Sequence, residues 1–186
     1  MASLNWPNFL TVVRIMLVPV LIVALLDHTT DGDILAAIVF ALASGTDFVD
    51  GYLARSREEV TTFGKLMDPL ADKLLIVAAL ISLVSLHRLA AWVAMVIIAR
   101  EFAVTVLRVA VGAQQHVVIP ASAWGKAKTA TQVAMVICLI AVPGHPLWLQ
   151  LLIYVTVAIT LVSGADYFFG LRRRLAQQPP GRPQST

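Results

Sequence analysis

The chain has 186 residues, of which 59% are apolar and only 13% charged, against about 45–50% and about a quarter in soluble domains. With a mean hydropathy of +0.82, this composition excludes a disordered or fibrous chain. It also argues against a soluble globular domain, because so short a chain has too little interior to hide that many apolar side chains. The net charge is only +3, so its distribution matters more than its size, and the single cysteine, Cys138, excludes a disulfide framework and a cysteine-based zinc site.

Six apolar windows follow one another along the chain: 9–26, 34–53, 67–86, 89–111, 129–142 and 147–169. The fifth is short, and its helix is expected to start at Gly125. A helix needs about 20 residues to cross a bilayer. A membrane barrel would instead alternate polarity in segments of about ten residues, and these runs are continuous. The expected fold is therefore an all-α integral membrane protein with six transmembrane helices. The connections are short and rich in turn formers, as in Asp27–Asp33 and Pro143–Pro146. No linker divides the chain, which reads as one domain over 1–176 followed by a disordered, Pro- and Gln-rich tail over 177–186. The first window carries Arg14 inside it, has no basic residue before it and no clear A-x-A site after it, so it reads as a retained helix rather than a cleaved signal.

Alternating the windows puts Arg55, Arg57, Lys65, Lys126, Lys128, Arg172, Arg173, Arg174 and Arg182 on one side of the bilayer. The other side receives Arg88 with Asp27, Asp31 and Asp33. The positive-inside rule then places both termini in the cytoplasm, in a multi-pass protein of the cell (inner or plasma) membrane. Trp6, Trp148 and Tyr167 fall near the expected interfaces and read as aromatic-belt anchors.

Ionisable groups inside membrane spans are costly and are functional candidates by default. Here they cluster. The second window ends with Asp47, Asp50, Gly51, Ala54 and Arg55, and the third begins with Asp68 and Asp72. Asp47, Asp50, Gly51 and Ala54 share one helix face, as do Asp68 and Asp72. A short loop makes the two helices antiparallel neighbours, with both carboxylate pairs at the cytoplasmic end. Four converging carboxylates repel one another and cannot all stay ionised unpaired. Oxygen-only ligands suit magnesium, manganese or calcium rather than zinc, and two such ions would clamp a phosphoryl group. Gly51 and Gly64 permit close approach of a ligand, Arg55 can hold a phosphate in its fork of donors, and Thr61 offers a hydroxyl. A purely structural ion-pair network is the bland alternative, but four Asp and one Arg do not balance. A cation pathway using the same carboxylates is another, and Arg55 at the same helix end speaks against it.

The residues 47–72 read D-F-V-D-G-Y-L-A-R, eight residues, then G-K-L-M-D-P-L-A-D. This resembles the signature of the CDP-alcohol phosphotransferase family, D-x-x-D-G-x-x-A-R-x8-G-x3-D-x3-D, with all eight fixed residues present. At roughly one in twenty per position, chance gives such a match about 10⁻¹⁰ of the time per starting point. The resemblance implies a membrane-embedded enzyme of about six helices, usually dimeric, which transfers a phosphoryl-containing group from a CDP-linked donor to an alcohol and releases CMP. It implies that Asp47, Asp50, Asp68 and Asp72 hold two ions of Mg2+ or Mn2+, with Asp72 also the general base. Gly51, Ala54, Arg55, Thr61 and Gly64 would line the CDP site. No nucleic acid is expected as a partner.

Three weaker features bear on the acceptor: P-N-F-L-T-V-V-R from Pro7, R-E-F-A-V-T-V-L-R from Arg100, and G-K-A-K-T-A-T-Q from Gly125. Together they resemble the branch of the family that moves phosphatidyl from CDP-diacylglycerol to sn-glycerol 3-phosphate. An anionic acceptor needs surplus cations, which Arg100, Arg108, Lys126 and Lys128 supply. Glu101, seven residues from Arg108 and so on its helix face, cannot neutralise all four. Arg100–Glu101 also reads as a structural pair, and Lys126 and Lys128 as topology anchors. Asn8, Thr11 and Arg14 share a face near the cytoplasmic end, within reach of nucleotide or acceptor, or form a capped helix start. Lys73, beside Asp72, either neutralises the site or snorkels outward. Other acceptors stay open with the same chemistry: phosphatidylglycerol, inositol phosphate or serine.

Overall fold

The computed structural model describes residues 6–27, 29–53, 62–115 and 123–176, with side chains described at 12–27, 29–45, 73–108 and 124–170. Six helices occupy them: α1 (Trp6–Leu26), α2 (Thr30–Leu53), α3 (Thr62–Ser85), α4 (Ala91–Gln115), α5 (Ala123–Ala141) and α6 (Leu147–Ala176). The expected all-helical fold is observed, and every apolar window falls on a helix. Most helices outrun their windows at a polar end. α2 starts at Thr30 because Thr29 caps it: the Thr29 hydroxyl accepts from the Gly32 N–H (3.0 Å) and donates to Asp27 (2.7 Å). Asp31 and Asp33, read from sequence as loop, complement the positive end of this helix. The tail 177–186 lies outside the described residues.

The turn between α1 and α2 is tight. A Cβ added at Gly32 would lie 2.5 Å from the Ala24 carbonyl oxygen, so only glycine fits there. α3 ends differently. His87 turns into the left-handed region (φ 57°), its N–H donates to the Val84 carbonyl (3.0 Å), and the Arg88 N–H donates to the Leu83 carbonyl (2.9 Å). These are the two bonds of a Schellman cap. The cap turns Arg88 back onto α2, where its guanidinium takes both oxygens of Asp33 (2.8 and 2.7 Å) and the Ile140 carbonyl (3.2 Å). One arginine thus ties the start of α2 to the ends of α3 and α5. That fixes α2 and α3 antiparallel, and it puts the end of α2 and the start of α3 together at the opposite pole.

α1 packs along α2 and α3, α5 along α6 and α2, and α4 along α6. Leu21, Leu25, Phe40, Leu80, Leu83, Ile97, Met135, Leu139 and Leu149 form the apolar core. The outer surface is also apolar: Met16, Val23, Leu42, Met95, Leu147 and Tyr154 are all exposed. Meanwhile Arg14, Lys128, Gln132, Thr156, Thr160 and Ser163 are buried. Apolar residues on both sides of the helices, with polar ones turned inward, reverse the usual order for a protein in water. Leu147–Gly170 of α6 is long and apolar enough to cross a bilayer, and Val12–Leu26 and Lys73–Ser85 are shorter apolar helical stretches.

Candidate active site

A cavity of about 410 Å³ opens among the helices, and all six contribute to its walls. α1 supplies Arg14; α2 supplies Phe40, Ala43 and Ser44; α3 supplies Lys73, Leu75 and Ile76. The charged wall comes from α4, with Arg100, Glu101 and Arg108, and from α5, with Lys128. α6 closes it with Ser163 and Tyr167. The periodicity of α4 explains its share: positions 101, 104, 105 and 108 recur along one helix face.

Arg100 is held across α6. Its Nη2 donates to the Ser163 hydroxyl (2.6 Å), and its Nη1 reaches Glu101 Oε1 at 3.4 Å. The stem lies over Gly164, where an added Cβ would come within 3.3 Å of Arg100 Cγ. The Lys128 ammonium donates to the same Glu101 oxygen, joining α5 to α4. Arg108 stands over the Tyr167 ring, 5.6 Å from its centroid, a cation–π contact that holds the guanidinium while leaving its N–H groups available. A buried polar ladder runs on from the cavity: Gln132 donates to Thr160 (3.3 Å), and Thr156 donates to the Thr131 carbonyl (3.4 Å).

Two buried polar atoms of this cavity, Arg100 Nε and Tyr167 Oη, have no hydrogen-bond partner among the described residues. An unmet buried donor costs roughly 1–3 kcal/mol, so both atoms suit a ligand that brings acceptors. With Arg14, Lys73, Arg100, Arg108 and Lys128 against Glu101, the walls carry a surplus of positive charge. The ligand this cavity fits is an anion.

The aspartates of the signature belong to the ends of two helices that also wall the cavity. Asp47 and Asp50 lie in the last two turns of α2 and Asp68 and Asp72 in the first turns of α3, at the pole opposite the Arg88–Asp33 tie. In helical register, Asp47 is one turn beyond Ser44, and Asp72 one turn before Ile76, both wall residues. The side chains of Asp47, Asp50, Asp68 and Asp72 lie outside the described ones, as do those of Asn8 and Thr11 in the first turns of α1. Gly51 falls in the last turn of α2 and Gly64 in the first turn of α3, while Ala54, Arg55 and Thr61 lie outside the described residues. Among the described residues no group of three or more metal-ligating side chains meets.

Of the residues expected at the acceptor, Arg100, Arg108 and Lys128 line the cavity, whereas Lys126 is exposed and away from it. Lys73 lies on the cavity rather than snorkelling outward. Tyr167, read from sequence as a belt anchor, is instead half-buried on the wall under Arg108. Ser163 and Gly164 were not singled out by sequence. The signal was a polar stripe on α6, Thr156, Thr160 and Ser163, spaced by four and three residues along one face.

An all-helical chain with an apolar exterior and a cationic cavity among its helices fits a membrane-associated protein that handles an anionic ligand, and the family it matches makes it a transferase of phospholipid biosynthesis. The chain belongs to the CDP-alcohol phosphatidyltransferase family, whose model matches residues 4–162. It is 42% identical over 184 residues to the CDP-diacylglycerol–glycerol-3-phosphate 3-phosphatidyltransferase of Bacillus subtilis (strain 168), covering 88% of this chain and 93% of that one. The enzyme of the same name from Rickettsia felis is 38% identical over 170 residues, with the same coverage of both chains. A probable phosphatidylglycerophosphate synthase of Mycobacterium tuberculosis (strain H37Rv) is 43% identical over 169 residues, covering 88% of this chain and 79% of that one. Membership of a transferase family sets the cation-transport reading aside.

Proposed function

We propose that this enzyme transfers phosphatidyl from CDP-diacylglycerol to sn-glycerol 3-phosphate, giving phosphatidylglycerophosphate and CMP. The observation that carries the choice of acceptor is the cavity with its excess of cations and its unpartnered Arg100 Nε, beside the Asp-bearing helix ends. Relatives named for this reaction support it. Arg100, Arg108 and Lys128 take the phosphate of the acceptor, with Arg14 and Lys73 adding positive potential. Lys126, exposed, serves as a headgroup anchor instead.

A phosphate fixed in this cavity leaves the far hydroxyl of the glycerol free to face the donor, and holding it there converts an encounter into a positioned attack. Asp72 accepts the proton of that hydroxyl. The acceptor's deprotonated hydroxyl oxygen bonds to the phosphorus of the phosphatidyl group, and the bond from that phosphorus to the oxygen that leaves with CMP breaks. Asn8, Thr11, Gly51, Ala54, Arg55, Thr61 and Gly64 bind the CDP moiety, with Arg55 on phosphate oxygens. The donor set Asp47, Asp50, Asp68 and Asp72 is all oxygen, which fits Mg2+ or Mn2+; such ions would neutralise charge on the phosphoanhydride. The chain spans the membrane six times as a homodimer with both termini and the active site cytoplasmic, so that acyl chains stay in the bilayer while the nucleotide reaches water.

The test is CMP release by detergent-purified protein given CDP-diacylglycerol and magnesium, with each acceptor in turn. Chelator-sensitive release specific to glycerol 3-phosphate is expected. Release with phosphatidylglycerol, inositol phosphate or serine in its place would overturn the acceptor.

A further inference from the structure

Glu101 is the one carboxylate among the described residues lining the cavity. A negative charge in the wall of an anion site opposes the anion, and the tie to Lys128 and Arg100 accounts for only one of the two Glu101 oxygens. Both side-chain contacts that Glu101 makes with described residues fall on one oxygen: the Lys128 ammonium and Arg100 Nη1 donate to Oε1. Oε2 accepts no hydrogen bond from a described residue, although an ionised carboxylate has room for about four. The side chain as a whole is only 12% exposed, yet Oε2 is not among the fully buried unpartnered atoms, so it stays accessible to a ligand. Ties from α4 and α5 hold Oε1 and leave Oε2 as the other end of the carboxylate on the cavity wall.

A second anion would be repelled there, and a further cation is unnecessary. What fits is a neutral donor, a hydroxyl, carried by a ligand whose anionic end sits on the adjacent cations. We propose that Glu101 Oε2 accepts a hydrogen bond from the non-reacting hydroxyl of the acceptor. This makes Glu101 a specificity residue, selecting a polyol phosphate over a simple hydroxyalkyl phosphate. The middle hydroxyl of glycerol 3-phosphate meets the requirement, since one carbon separates its own carbon from the phosphate ester oxygen. The proposal rests on reading the cavity as the acceptor site. A pocket built to hydrogen-bond a substrate hydroxyl rejects the analogue lacking it, because its own polar group is then left unpaired.

The experiment compares glycerol 3-phosphate with 3-hydroxypropyl phosphate, which lacks only that hydroxyl, by kcat/KM for CMP release in the full-length wild type and in Glu101→Gln. The glutamine keeps an oxygen for Lys128 and Arg100 and replaces Oε2 with an amide nitrogen that only donates. The wild type is expected to prefer glycerol 3-phosphate by about tenfold to a hundredfold, the range for a hydrogen bond to a charged acceptor. In Glu101→Gln that preference should fall to within about threefold. An equal loss on both acceptors, with the ratio kept, would show that Glu101 only positions Lys128 and Arg100 and would overturn the proposal. So would a wild type that barely separates the two acceptors, a result that needs no variant to fold. A wild type that uses neither acceptor but releases CMP with a different alcohol would overturn the proposed function itself, and this inference with it.

Discussion

Gly164 offers a sharp test of how Arg100 is held. An alanine there puts its Cβ 3.3 Å from Arg100 Cγ and 3.6 Å from Nε. Contacts that close are relieved by moving the arginine stem a few tenths of an ångström, and the guanidinium at its end follows. The bond from Nη1 to Glu101 is already 3.4 Å long, while the bond from Nη2 to Ser163 is 2.6 Å. The first is lost and the second stretched, a cost near the net value of one hydrogen bond, about 1 kcal/mol. That corresponds to roughly fivefold in an equilibrium constant. In CMP-release kinetics, Gly164→Ala should raise the KM for glycerol 3-phosphate roughly fivefold and leave the KM for CDP-diacylglycerol within about twofold. Ser163→Ala should act similarly, and the double variant should fall well short of the product, since both act through one arginine. An equal rise in both KM values, or an unchanged acceptor KM, would refute the reasoning.

Three further outcomes are expected. Asp68→Asn should cut CMP release by about a hundredfold or more with the circular dichroism spectrum unchanged; full activity would remove Asp68 from the metal site. A double-mutant cycle on Arg88→Ala and Asp33→Ala, read by denaturant unfolding in detergent, should give a coupling of about 1–2 kcal/mol, between the values for an exposed pair and a buried charge-assisted one; additive effects would deny the tie between α2 and α3. Gly32→Ala should destabilise by about 1–3 kcal/mol, because the clash at 2.5 Å is with the backbone oxygen of Ala24 and no rotamer relieves it; an unchanged thermal midpoint would show that the α1–α2 turn has slack.

The helical class, the six helices of the described residues and the family were legible in the amino-acid order alone. Continuous apolar runs admit little else, and eight fixed residues at fixed spacing leave chance no room. The amino-acid order also marked Arg100, Arg108 and Lys128, since a basic residue within an apolar helix needs a reason. Helix ends were less legible. Hydropathy records where apolar side chains occur, whereas a helix runs on until its backbone is capped, so α2 begins at Thr30 and α6 continues to Ala176. Which residues meet across helices became visible only in the packed fold. Tyr167 resembles an interfacial aromatic in sequence, but the packing of α6 against α4 brings its ring under Arg108. Ser163 and Gly164 carry no motif; their role exists because Arg100, 63 residues from Ser163 along the chain, lies across them. Glu101 shows the same division. Its place on the Arg108 face follows from helical periodicity, but that one oxygen is tied to Lys128 and Arg100 and the other spare follows only from Lys128 of α5 reaching across to α4.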